Sequence, residues 1–103
     1  MNLESITTDM LSAMQEQIGK DWPKMKVATR TFLQHRIERL AKLNELKRSG
    51  DIDEIFLQKR LLEEELLFQS ELNALSISSL ATIRRATRAA FKVLTQSLLN
   101  ALF

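Results

Sequence analysis

Apolar positions recur at alternating steps of three and four from the first residues of the chain onward: Leu3, Ile6, Met10, Ala13 or Met14, and Gln17 or Ile18 open the series. Such spacing puts one buried stripe on a helix, and it predicts a first helix over residues 3–19. The segment Gly19-Lys20-Asp21-Trp22-Pro23 then offers a stop, a new N-cap in Asp21 and a proline for the next first turn. The expectation here is a break or sharp kink that roughly keeps the direction of the chain.

A second helix is predicted over 23–48, with Met25, Ala28, Phe32, Leu33, Ile37, Leu40, Leu43 and Leu46 within one broad arc. Lys47 and Arg48 fall in its last turn, where the negative end of the helix dipole favours cations. Ser49-Gly50 supplies a C-cap, and Asp51 with Glu54 matches a capping box that starts the next helix. Neither Gly nor Pro occurs after Gly50, so the pattern predicts a single third helix over 52–102, about 75 Å long at 1.5 Å per residue.

Leu57, Leu61, Phe68, Leu72, Leu75, Ile83, Ala86, Ala90 and Leu94 form its stripe, with an eleven-residue repeat that favours a straight seam. A rod of that length needs a partner along its whole extent, and the first two helices together supply one. The fold class expected is therefore all-α: a long antiparallel helical hairpin, with the first helix and the kinked second helix packed against the third. With Gly50 as midpoint, His35 faces Glu64 and Glu65, and Pro23 lies beside Ser76-Ile77-Ser78-Ser79.

A second apolar arc on the third helix, made of Ile55, Leu62, Leu66, Leu80, Phe91 and Leu98, would stay in water in a lone hairpin. Phe56 and Leu67 are apolar on yet another side. Burying such side chains is worth about 1.5 to 3 kcal/mol each, against about 0 to 1 kcal/mol for an exposed ion pair. The expectation is a homodimer in which two hairpins form a four-helix bundle.

Charge agrees with the hairpin. The net charge is −3 over residues 1–22, +6 over 23–50, −5 over 51–72 and +4 over 73–103, so a fold at Gly50 sets opposite signs together. At 103 residues the chain is read as one domain, 1–103. It contains 2 Gly and 1 Pro where an average chain of this length holds roughly 7 and 5, which leaves room for few turns.

The absence of Cys excludes a disulfide framework, thiolate metal sites and a cysteine nucleophile. No export signal is expected from the start of the chain, and the apolar C-terminal stretch is interrupted by Lys92, Gln96 and Asn100, short of the roughly 20 apolar residues a membrane span needs. A cytoplasmic location is favoured.

Candidate chemistry is sparse. His35 is the only histidine, and His35-x-x-Glu38 reverses the Glu-x-x-His order of carboxylate-bridged metal bundles. Glu63-Glu64-Glu65 spread around a helix and cannot converge on one ion. One His and two Gly cannot build a phosphate loop or a Ser-His-Asp set. No catalytic, cofactor-binding or metal-ligating residue is assigned, and the chain is read as a non-enzyme without cofactor.

The basic residues of the second helix, Lys24, Lys26, Arg30, Arg36, Arg39, Lys42, Lys47 and Arg48, are spread around it without aromatic platforms, which disfavours nucleic acid as a partner. Met10, Met14 and Met25 read as core, and Trp22 as a shield at the kink. In the C-terminal segment Arg84, Arg85, Arg88, Lys92, Gln96 and Asn100 share one arc, with Leu80, Ile83, Ala86, Ala90, Leu94, Leu98 and Ala101 opposite. Leu99, Leu102 and Phe103 stray toward the polar side.

The functional expectation is a structural, protein-interaction helical bundle that self-associates and binds a partner protein. The alternative is a protein acting at a membrane surface through the basic amphipathic helix 77–103.

Overall fold

A computed structural model describes the backbone of residues 2–101 and the side chains of residues 2–98. The expected helix end at 102, and the contributions of Leu99, Asn100, Ala101, Leu102 and Phe103, lie outside these. The described chain is all-helical, with α1 at Leu3–Ile18, a short 3-10 turn at Gly19–Asp21, α2 at Trp22–Ser49, α3 at Glu54–Ala74 and α4 at Leu80–Ala101. Its principal extents are 42 × 22 × 19 Å.

Those extents correct two expectations at once. A continuous helix over 52–102 would by itself run about 75 Å, and α1 joined end to end with α2 would run about 66 Å. Instead the chain turns back at both of its weak points. One groove is lined by Leu3, Thr7 and Leu11 of α1 and by Arg30, Gln34 and Glu38 of α2, so α1 folds antiparallel onto the first half of α2. A second groove gathers Glu54, Leu57 and Leu61 with Thr95 and Leu98, so α4 folds antiparallel onto α3.

The hairpin at Gly50 survives inside this more compact arrangement. Gly50 ends α2 in the left-handed conformation, φ 85°, which favours glycine. Its N–H bonds to the Lys47 carbonyl and that of Asp51 to Leu46. Asp51, expected to cap the next helix, accepts from the Ser49 hydroxyl at 2.7 Å instead, and Asp53 is the N-cap of α3, its carboxylate accepting from the Phe56 N–H at 2.8 Å. α3 then runs back along α2, and Arg36 meets Glu64 at 2.7 Å across that pair, the register expected from Gly50.

At the first bend Gly19 adopts φ 68° and closes α1, and Pro23 sits in the first turn of α2, where its missing N–H costs nothing. The Asp21 side chain makes no cap bond. The second bend, Leu75–Ser79, needs neither Gly nor Pro. Ser76 takes φ 56°, and the Ser79 hydroxyl accepts from the Thr82 N–H at 3.2 Å, a serine N-cap that starts α4. Serine side chains compete for backbone hydrogen bonds, so three of them in Ser76-Ile77-Ser78-Ser79 break the helix as a glycine would.

The core runs through all four helices. Met10, Met14, Met25, Leu33, Leu40, Phe68, Ile83, Ala86 and Ala90 are wholly buried, and Trp22 lies in the same cluster. α1 packs most extensively on α4, a helix whose small residues Ala86, Thr87 and Ala90 are fully buried. Phe91 and Leu98, expected to face a second copy, are buried within the chain; the Phe91 ring lies 6.1 Å from that of Phe68. The break resets the helical phase, so residues after Ser79 no longer share the wheel of residues 54–74.

Candidate functional site

The charged residues singled out by the sequence are distributed by this fold rather than gathered. His35 is exposed and lines the α1–α2 groove of about 690 Å³ with Glu4, Arg30 and Glu38. It does not face Glu64 and Glu65, as the straight hairpin implied; the neighbouring Arg36 takes the place opposite Glu64, and His35 lies round the helix on the side toward α1. Among the described residues no three His, Asp or Glu side chains are placed to hold a metal ion.

Glu63, Glu64 and Glu65 diverge as expected for consecutive helical positions. Glu64 is buried and held by Arg36 at 2.7 Å, Arg39 at 3.1 Å and Arg60 at 3.5 Å. Arg36, itself buried, also binds Glu71. Glu63 is exposed and bound to Arg60 at 2.6 Å. Glu65 is half-buried; burial pushes its carboxyl above the ordinary 4.5, and the Arg88 guanidinium partly opposes that. Arg36, Arg39, Arg60, Glu63, Glu64 and Glu71 neutralise one another and form a structural network between α2 and α3.

The basic arc of α4 is exposed at Arg84, Arg85, Arg88 and Lys92, and among the described residues these four make no salt bridge within 4.0 Å. The apolar arc behind it is buried at Ile83, Ala86, Ala90, Phe91, Leu94 and Leu98. No helix of the described residues is long and apolar enough to cross a membrane.

The outer face of α3 remains. Its inner stripe, Leu57, Leu61, Glu64, Phe68 and Leu72, is buried. On the opposite side Ile55 is 78% exposed, Leu62 57% and Leu66 53%, with Phe56 and Leu67 beside them at 46% and 51%. Large apolar side chains elsewhere on the described surface are isolated, Val27 on α2 and Leu80 at the start of α4. Five exposed within thirteen residues of one helix make a patch of the kind that monomers seldom leave in water.

Sequence periodicity named all five of these residues, yet it grouped Ile55, Leu62 and Leu66 with Phe91 and Leu98, which the fold removes from the surface. The signal that separates the two sets is the serine cluster before α4. Comparison with protein-family models, with curated proteins and with solved structures finds no match for this chain.

Proposed function

We propose that this chain is a non-enzymatic protein-interaction module that self-associates through the outer face of α3 and presents its remaining charged surfaces to a partner protein. The observation that carries the reading is the set of five large apolar side chains, Ile55, Phe56, Leu62, Leu66 and Leu67, exposed together on one helix. Full burial of such a side chain is worth about 1.5 to 3 kcal/mol, so covering half-exposed ones gives roughly half that each, enough for a reversible dimer once the cost of association is met.

The dimer proposed here differs from two long hairpins zipped along their length. Each chain already buries its own α4 against α1 and α3, so two complete helical bodies meet over one helix each. Light scattering or sedimentation over a concentration series tests it. The expected result is a species of twice the 11.9 kDa chain mass that reverts to monomer when Leu62 is replaced by Glu. A folded monomer up to concentrations on the order of 100 µM overturns the reading.

A second reading keeps one specific observation in its favour. The cations Arg84, Arg85, Arg88 and Lys92, exposed on α4 and free of close salt bridges among the described residues, suit an anionic membrane surface. Because the apolar side of α4 lies in the core, such attachment would be electrostatic and lost in salt. Co-flotation with anionic liposomes at low salt tests it, and absence of binding there removes it.

A further inference from the structure

We infer that the occupant of the α3 outer face is α3 of a second copy, laid antiparallel about a two-fold axis that passes beside residues 60 and 61. This inference rests on the self-association reading above and adds orientation and register to it.

The exposed residues Ile55, Lys59, Leu62 and Leu66 follow one another at steps of four, three and four. That is the narrow seam through which two helices pack knobs into holes. Two-fold symmetry requires the seam to be complementary to itself, residue i meeting residue j and j meeting i. In the antiparallel register Ile55 meets Leu66 of the second copy at each end, and Lys59 meets Leu62 of the second copy twice near the centre. The lysine stem lies along the leucine, and its ammonium reaches Glu63 of the second copy, the residue next to that leucine.

The flanks agree with the same axis. Phe56, Glu63 and Leu67 lie on one side of the seam. In an antiparallel two-fold pair that side of both helices faces the same way, so Phe56 of one chain and Leu67 of the other share a flank, about 3 Å apart in height. The hydrophobic pattern is thus symmetric about the axis, while the charges, Lys59 and Arg60 before it and Glu63 after it, are antisymmetric, which gives attraction at both crossings. A parallel pair would place Lys59 against Lys59 of the second copy and leave Glu63 without a partner across the seam. Charge therefore selects the antiparallel orientation, and apolar contact supplies the affinity.

The chain has no cysteine, which makes cross-linking a clean test. Ile55→Cys and Leu66→Cys variants, mixed and oxidised, are expected to form a disulfide between the two different chains. Either variant alone is expected to give little, because equivalent positions would stand about 16 Å apart along the seam, far beyond disulfide reach. In sedimentation equilibrium, Lys59→Glu and Glu63→Lys should each raise the dimer Kd about three- to tenfold, since each change acts at both symmetric crossings. The double variant should restore it to near the starting value.

Self-linking of each cysteine variant, or a charge swap that fails to rescue, overturns the register while leaving self-association standing, provided Leu62→Glu still yields a folded monomer by circular dichroism. A wild-type chain that stays monomeric overturns both. A dimer insensitive to Leu62→Glu places the contact on another face, and that also overturns both.

Discussion

The Ser78 hydroxyl donates to the Asp21 carboxylate at 3.1 Å, and this one bond ties the bend between α1 and α2 to the bend between α3 and α4. Both turns stand at the same level of the α2–α3 hairpin, so the two outer helices fold back together as a layer. Asp21 makes no cap bond to its own helix, so the hydrogen bond lost on its removal is the one between the bends. Ser78→Ala and Asp21→Ala should each cost about 1 kcal/mol in urea denaturation. Combined, they should cost little more than either alone; full additivity would show that the two side chains do not interact.

Glu64 gives the largest expected effect of any charged residue. Its carboxylate is 2% exposed and faces three guanidinium groups, one of them on the 7%-exposed side chain of Arg36. Glu64→Ala leaves Arg36 with only Glu71 at the edge and should cost about 3 to 5 kcal/mol, read from the urea midpoint. Arg39→Ala, whose side chain is mostly in solvent, should cost no more than about 1 kcal/mol. The paired replacement Arg36→Met with Glu64→Leu should recover most of the loss, since apolar packing removes the need to desolvate either ion. A double variant as unstable as Glu64→Ala would mean that the ion pair itself, and not the stranded charge, sets the energy.

Glu65 predicts a pH dependence of definite sign. Its folded carboxyl holds the proton above the ordinary 4.5, because burial outweighs the opposing Arg88. The folded state therefore binds that proton more tightly than the unfolded state does, and its contribution to stability is greatest below 4.5 and falls as pH rises through the raised value. Glu65→Gln should gain on the wild type over that window and hold the gain at neutral pH. Carbon-detected titration of the Glu65 carboxyl should place its midpoint above 4.5, and Arg88→Gln should move it higher still. A stability difference between Glu65→Gln and the wild type that does not change with pH would contradict the assignment.

The helical stripes were readable because each is built from a regular spacing: Met10 and Met14 in α1, Leu33 and Leu40 in α2, Phe68 and Leu72 in α3, all wholly or almost wholly buried. The Gly50 turn and the α2–α3 register were readable for the same reason, a glycine at a positive φ and charge blocks of opposite sign. What escaped was the reversal at each outer bend. Gly19 and Pro23 mark a break without stating the angle, and the angle is set by the packing of α1 on α4, a contact distant in sequence. The break at Ser76–Ser79 escaped because it is made by hydroxyl caps rather than by a residue that cannot be helical. The candidate surface was half legible: Ile55, Leu62 and Leu66 stayed exposed, while Phe91 and Leu98 left their arc when the rod broke.

That break can be tested by the sign of two substitutions. In the folded chain Ser76 holds φ 56°, a conformation that costs an ordinary residue roughly 1 kcal/mol and a glycine almost nothing. Ser76→Gly should therefore raise stability, by up to about 1 kcal/mol after the added freedom of the unfolded chain is counted. Ser79 caps α4 through the Thr82 N–H, so Ser79→Ala should lower stability by about 0.5 to 2 kcal/mol. A single rod over 52–102 would reverse both signs, because mid-helix a glycine costs about 1 kcal/mol and an alanine is the best helix former. Urea midpoints for the two variants thus distinguish the folded-back chain from the straight hairpin without any measurement of shape. A destabilising Ser76→Gly together with a stabilising Ser79→Ala would mean that α3 and α4 are continuous in solution.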